Sequence, residues 1–123
     1  MDYFEMTTPE NLVKAKTRQV LAEYDGLYTH WPVPAGFGKR TIDCLACYRG
    51  RFFGIETKAP GKKPTLNQTK TIQDVERAMG RVFVIDDVRS PVLDELREWL
   101  DGLRDGIQDD HRISPDQVAR RPI

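Results

Sequence analysis

Two short apolar runs flank Arg49-Gly50 in the stretch Asp43-Cys44-Leu45-Ala46-Cys47-Tyr48-Arg49-Gly50-Arg51-Phe52-Phe53-Gly54-Ile55-Glu56-Thr57-Lys58, and that pattern predicts a β-hairpin. A two-residue loop pairs Tyr48 with Arg51 and, counting outward, sets Asp43 opposite Glu56. Side chains alternate along a strand, so Lys58 shares the face of Glu56. Directly opposed side chains lie roughly 4.5–5.5 Å apart at Cβ, where two carboxylates repel unless a cation sits between them. Hard carboxylate oxygens suit Mg²⁺ or Mn²⁺. The register decides this. Arg is a poor first residue for a type I′ turn, which needs positive φ at both central positions. A four-residue loop keeps the same facing, whereas a three-residue loop separates the two acids unless a bulge restores them. The alternative is an edge hairpin with both acids solvated. Against it, Glu56 stands between Ile55 and Thr57 in an otherwise apolar strand, and polar groups in such places tend to be functional.

A chain of 123 residues is one domain with a single core. Its zero net charge hides a division. Residues 39–70 hold eight basic and two acidic side chains, whereas residues 86–110 hold nine acids and three arginines. A basic surface around a carboxylate pair suits a phosphodiester; ordinary solvated charge is the alternative. Lys39, Arg40, Lys62, Lys63 and Lys70 are the candidate backbone contacts. No signal peptide or membrane span is visible, which leads us to expect a cytoplasmic protein with no membrane partner. Cys44 and Cys47 are the only cysteines, so no disulfide framework is expected. In a strand their C-x-x-C spacing points them to opposite faces, which suits neither zinc nor a redox motif.

Residues 1–7 read as a loose arm. Thr8 is the expected N-cap and Pro9 the first residue of a helix running to about Tyr24, with Val13, Val20, Leu21 and Tyr24 as its apolar stripe. Glu10 falls in its first turn, where stabilising the helix dipole is the default role. The run from Leu27 predicts a strand, with Pro32 marking an edge or an end. His30 reads as structural or surface. The glycine-rich stretch before Lys39 and Arg40 does not have phosphate-loop spacing. Thr65 and Gln68 fit a capping box, opening a helix expected to reach Met79 and stop at Gly80. Gln68, Ile72, Val75 and Met79 fall on its inward side; whether the Gln68 amide only completes the cap or also points toward the sheet is open. Val82-Phe83-Val84-Ile85 predicts a fully buried strand. Ser90-Pro91 opens an amphipathic helix that either covers the core or meets another copy. Domain 1–103 thus has a core over 9–85 and a covering helix at about 90–103. Beyond it, 104–123 is a polar tail, either disordered or carrying one short helix.

The expected fold class is α/β, with elements in the order helix, three strands, helix, strand, helix. That order, with Asp43 upstream of Glu56-Thr57-Lys58, resembles the PD-(D/E)xK nuclease superfamily and, more closely, its VRR-NUC branch of small phage and bacterial nucleases. The resemblance rests on PENLVKAK, TIDCLACYRGRFFGIETKAP and LNQTK followed by VFVI. It implies a restriction-endonuclease-like αβββαβ core whose mixed sheet is flanked by helices. It further implies that Asp43, Glu56 and the Thr57 carbonyl bind Mg²⁺ or Mn²⁺, and that Lys58 assists the attacking water. Glu10 matches the family's first-helix acid and Gln68 its helix glutamine. Ile42 departs from the pattern, since the family has proline there. The implied activity is endonucleolytic cleavage of duplex or branched DNA, Holliday junctions included, by a homodimer, in the host cytoplasm if the gene is a phage's. A non-catalytic nucleic-acid or protein-binding module on the same fold is the rival reading, and RNA is not excluded as a substrate.

Overall fold

The computed structural model describes residues 8–33 and 42–106. The residue 1–7 arm, the Lys39 and Arg40 contacts, and the tail from 107 onward lie outside those residues. The elements are α1 (Pro9–Leu21), β1 (Tyr28–His30), β2 (Cys44–Tyr48), β3 (Arg51–Thr57), α2 (Leu66–Arg77), β4 (Arg81–Ile85) and α3 (Pro91–Arg104). This is an α/β arrangement with one four-stranded mixed sheet and three helices. The strand order is β1-β2-β3-β4. The first two pairings are antiparallel, and β4 runs parallel to β3 after the α2 crossover. No helix among the described residues is long and apolar enough to cross a membrane.

The hairpin has the two-residue register: Tyr48 pairs with Arg51 and Cys44 with Ile55. Arg49 and Gly50 have φ of 52° and 82°, the positive pair of a type I′ turn. Arg49 therefore occupies a left-handed conformation that its residue type argues against, and the twist match between the two strands accounts for it.

Alternation sorts the sheet into two unlike faces. Cys44, Ala46, Tyr48, Phe53, Ile55, Phe83 and Ile85 point into the core. There they meet Val13, Val20, Leu21 and Tyr24 of the α1 region and Leu93, Leu96, Leu100 and Leu103 of α3. Thus α3 covers the core. Tyr24 ties it to α1, its hydroxyl donating to Asp101 Oδ1 at 2.7 Å. Thr17 belongs to the same α1 stripe although its hydroxyl hides it from an apolar count; that hydroxyl donates to Val13 O at 2.9 Å, so burial leaves no group unsatisfied.

The other face is buried at the Gly54–Glu56 end and open at the turn end. Tyr28, Cys47 and Phe52 form one cross-strand row and are all exposed. Helix α2 has no buried residue, and Met79 is 86% exposed, so the inward stripe expected there is a light contact through Ile72 and Val75. Its C-terminus differs from expectation in a second way. Met79, not Gly80, takes the left-handed position, with φ of 72°. Met79 N–H donates to Glu76 O at 3.0 Å and Gly80 N–H to Val75 O at 2.9 Å, which together complete a Schellman motif. Gly80 is needed for space instead: a Cβ there would stand 2.7 Å from Val75 Cγ1 and 3.1 Å from Phe52 Cδ1. Strand β4 also departs from expectation. It is outermost in the described sheet, and only Phe83 and Ile85 are buried, because α3 covers a single face.

The cysteines lie on opposite faces, Cys44 buried and Cys47 exposed, and both are free. Burial pushes the Cys44 thiol up to about 11. A chromogenic disulfide reagent should therefore label Cys47 in the native protein and Cys44 only on unfolding. Equal labelling rates for the two thiols would contradict this packing.

Candidate metal centre

The site forms where β2 begins and β3 ends. Extending the hairpin register by one pair beyond Cys44 and Ile55 brings Asp43 opposite Glu56. Asp43 is fixed from the side by Thr57, whose backbone N–H and hydroxyl both donate to Asp43 Oδ2, at 2.9 and 2.8 Å. Thr57 is itself fully buried, so these bonds hold the carboxylate against the rigid end of β3.

Glu56 is 1% exposed, an unusual condition for a carboxylate. Its Oε1 accepts from Gln68 Nε2 at 2.9 Å, while Oε2 is buried with no hydrogen-bond partner. Gln68 performs both functions left open by its position. Its Oε1 accepts from Thr65 N–H at 2.8 Å, closing the capping box, and its amide nitrogen reaches the sheet. The cap thus orients the donor that holds Glu56.

Burial is the main reason that the Glu56 carboxyl rises to about 7, and the charge of Asp43 adds to it. The Lys58 ammonium pulls the other way. Lys58 lies one residue beyond β3, half-buried, with its backbone N–H donating to Ile85 O at 2.9 Å. Lys62 and Lys63 are exposed in the link from β3 to α2, and Lys70 is exposed on α2. All three follow the strand end that carries the carboxylates.

Asp43, Glu56, Thr57, Lys58 and Gln68 are therefore brought together. Glu10 is not. It stays exposed in the first turn of α1, the position that stabilises a helix dipole, and among the described residues no three Asp, Glu, His or Cys side chains gather as a metal-holding group. The centre comprises two carboxylates rather than three. What the sequence did not signal is its support: Ile42, the residue before Asp43, is 1% exposed and lies over Gly54. The adjacency of Ile42 to Asp43 and the alternation of Gly54 with Glu56 were the available clues.

An orphaned carboxylate oxygen, a second carboxylate beside it and a glutamine that fixes the first form a donor set that fits a hard divalent cation. A groove of about 740 Å³, lined by Phe52, Met79, Arg81 and Trp99 among others, lies at the opposite end of β3 and shares none of these residues. No protein-family model matches the chain, and a comparison with curated proteins gives no match.

The Glu56 carboxyl has a pH consequence. Its folded value near 7 is above the ordinary 4.5, so the folded protein keeps a proton that the unfolded chain has already lost. The associated stability is complete below about pH 4.5 and is lost as pH rises through 7. In EDTA, thermal melts of the wild type between pH 5 and 8 should lose on the order of 1–3 kcal/mol relative to Glu56→Gln. Parallel pH profiles would show that Glu56 is not the group responsible.

Proposed function

We propose that this protein is a metal-dependent endodeoxyribonuclease of the PD-(D/E)xK type, related to the VRR-NUC branch, with a restriction-endonuclease-like core. The observation that carries the reading is the buried, unpartnered Glu56 Oε2 beside Asp43. Leaving such an oxygen unpaired costs about 1–3 kcal/mol or more, a cost that a cation would remove.

Asp43, Glu56 and the Thr57 carbonyl would hold Mg²⁺ or Mn²⁺, which when bound supplies positive charge to a phosphodiester and acidifies water. The residues of the chain do the remaining work. Thr57 keeps Asp43 from turning away, and Gln68 keeps one Glu56 oxygen occupied so that the other points inward. Lys58 presents a point charge near the carboxylates, suited to orienting the nucleophilic water and to the charge that grows on phosphate oxygens. Lys62, Lys63 and Lys70 supply sequence-independent contacts to the DNA backbone. Cleavage would leave 5′-phosphate and 3′-hydroxyl ends. The substrate class is duplex or branched DNA, four-way junctions included, bound by a homodimer presenting two centres.

A non-catalytic binding module is the second reading. It is favoured by the Phe52–Trp99 groove, which offers exposed aromatic and arginine side chains away from the carboxylates.

Synthetic duplex, flap and four-way-junction DNA incubated with Mg²⁺ or Mn²⁺ should be cut, with the junction preferred. Equal rates on all three would remove the junction preference. Asp43→Ala should abolish Mn²⁺ binding in calorimetry. Lys58→Ala should keep Mn²⁺ binding yet slow cleavage about 100-fold or more. Unchanged rates in both variants would refute catalysis at this centre, and DNA binding with no Mn²⁺ uptake by the wild type would favour the module.

A further inference from the structure

The hairpin face turned away from the main core contains a buried contact, beside the carboxylates, between residues that are not proposed cation ligands. Gly54 is on β3, two residues before Glu56 and therefore on the same face. Ile42 immediately precedes Asp43 and is 1% exposed. A Cβ added at Gly54 would collide with Ile42 Cδ1, and it would stand 3.3 Å from Ile42 Cγ1 and 3.5 Å from Cys44 O. Gly54 does not have a positive φ, so conformational freedom is not the reason for glycine here. Its missing side chain provides the seat for Ile42.

We propose that the seating of Ile42 on Gly54 is the positioning device that sets Asp43 against Glu56, making Ile42 and Gly54 determinants of cation affinity. The inference rests on the carboxylate pair being a cation site. Asp43 is not in a paired strand position, because the ladder ends at Cys44 with Ile55. The register thus sets Asp43 opposite Glu56, but the ladder stops one pair short, and no strand pairing holds residue 42, from which the chain approaches the pair. Thr57 fixes the Asp43 carboxylate from one side through two hydrogen bonds, and the Ile42 side chain fixes the preceding residue on β3. Both anchors are on the strand that carries Glu56, so the two acids share one frame. A side chain at residue 54 would lift residue 42 and draw Asp43 away from Thr57 and Glu56 together.

The chemistry makes a compensating variant available. Valine at 42 lacks the Cδ1 atom that meets the new methyl group, and the remaining distances of 3.3 and 3.5 Å need only a small adjustment. Two readouts follow. One is Mn²⁺ affinity by calorimetry. The other requires no metal: hydrogen exchange of the Thr57 amide, whose proton is bonded to Asp43 Oδ2.

Gly54→Ala should weaken Mn²⁺ binding about 10- to 100-fold and speed Thr57 amide exchange. The double variant Gly54→Ala with Ile42→Val should recover most of both. Ile42→Ala in the Gly54 background empties the seat without a clash, should show the same two losses, and serves if Gly54→Ala does not fold. The proposal is overturned if the single variants leave Mn²⁺ affinity and Thr57 exchange unchanged, or if the double variant recovers neither. Should the wild type not bind Mn²⁺, the cation reading fails by itself, and Thr57 exchange still decides whether Ile42 seated on Gly54 positions Asp43.

Discussion

A carboxylate that water cannot reach requires some other source of stabilisation, and in this protein that requirement falls on Glu56. Gln68 satisfies one oxygen, the other has no close hydrogen-bond partner among the described residues, and the nearby Asp43 backbone N–H eases the charge only in part. Much of the surrounding structure follows from this need. Helix α2 has no buried residue and packs weakly, yet its capping box aims the glutamine at the sheet. The crossover from β3 through α2 to β4 places the helix start beside the strand end that carries the acids. Packing strength and functional value are separated here: α1 and α3 supply the core, and the loosely held α2 supplies the donor that the site needs.

The two faces of the sheet express the same division. One is sealed by aliphatic and aromatic side chains, with Phe53, Phe83 and Trp99 meeting edge-on or tilted at centroid distances of 5.2–6.2 Å. Such contacts resist deformation of the packed side of β3. The other face is left open along Tyr28, Cys47 and Phe52.

Much of this was legible in the sequence because the signals were local. Thr8, Thr65 and Ser90 cap their helices as residue type and spacing predict. Asp43 and Glu56 meet because a two-residue turn leaves the strands little choice of register. The misses occur where neighbours distant in sequence decide. Met79 takes the left-handed position, while Gly80 is required for space beside Val75 and Phe52, two neighbours a local pattern does not announce. Strand β4 has an apolar composition suited to an interior position, yet no described strand lies beyond it. Thr17 is buried through a hydrogen bond to its own helix, which a count of apolar residues cannot register. Gly54 could be read as a weak strand residue, and only its distance to Ile42 gives it a role.

The Arg49-Gly50 turn has a consequence well beyond its own residues. It lies about five strand residues, roughly 17 Å, from the acids, yet it is the origin from which their pairing is counted. Insertion or deletion of one residue there would rotate the upstream acid to the opposite side while preserving every strand residue and nearly all the hydrophobic composition. Among descendants of such a chain, the length of the turn would stay constant, and residue 50 would stay among the types that accept a positive φ. The bend acts as a ruler for chemistry at the far end of the hairpin.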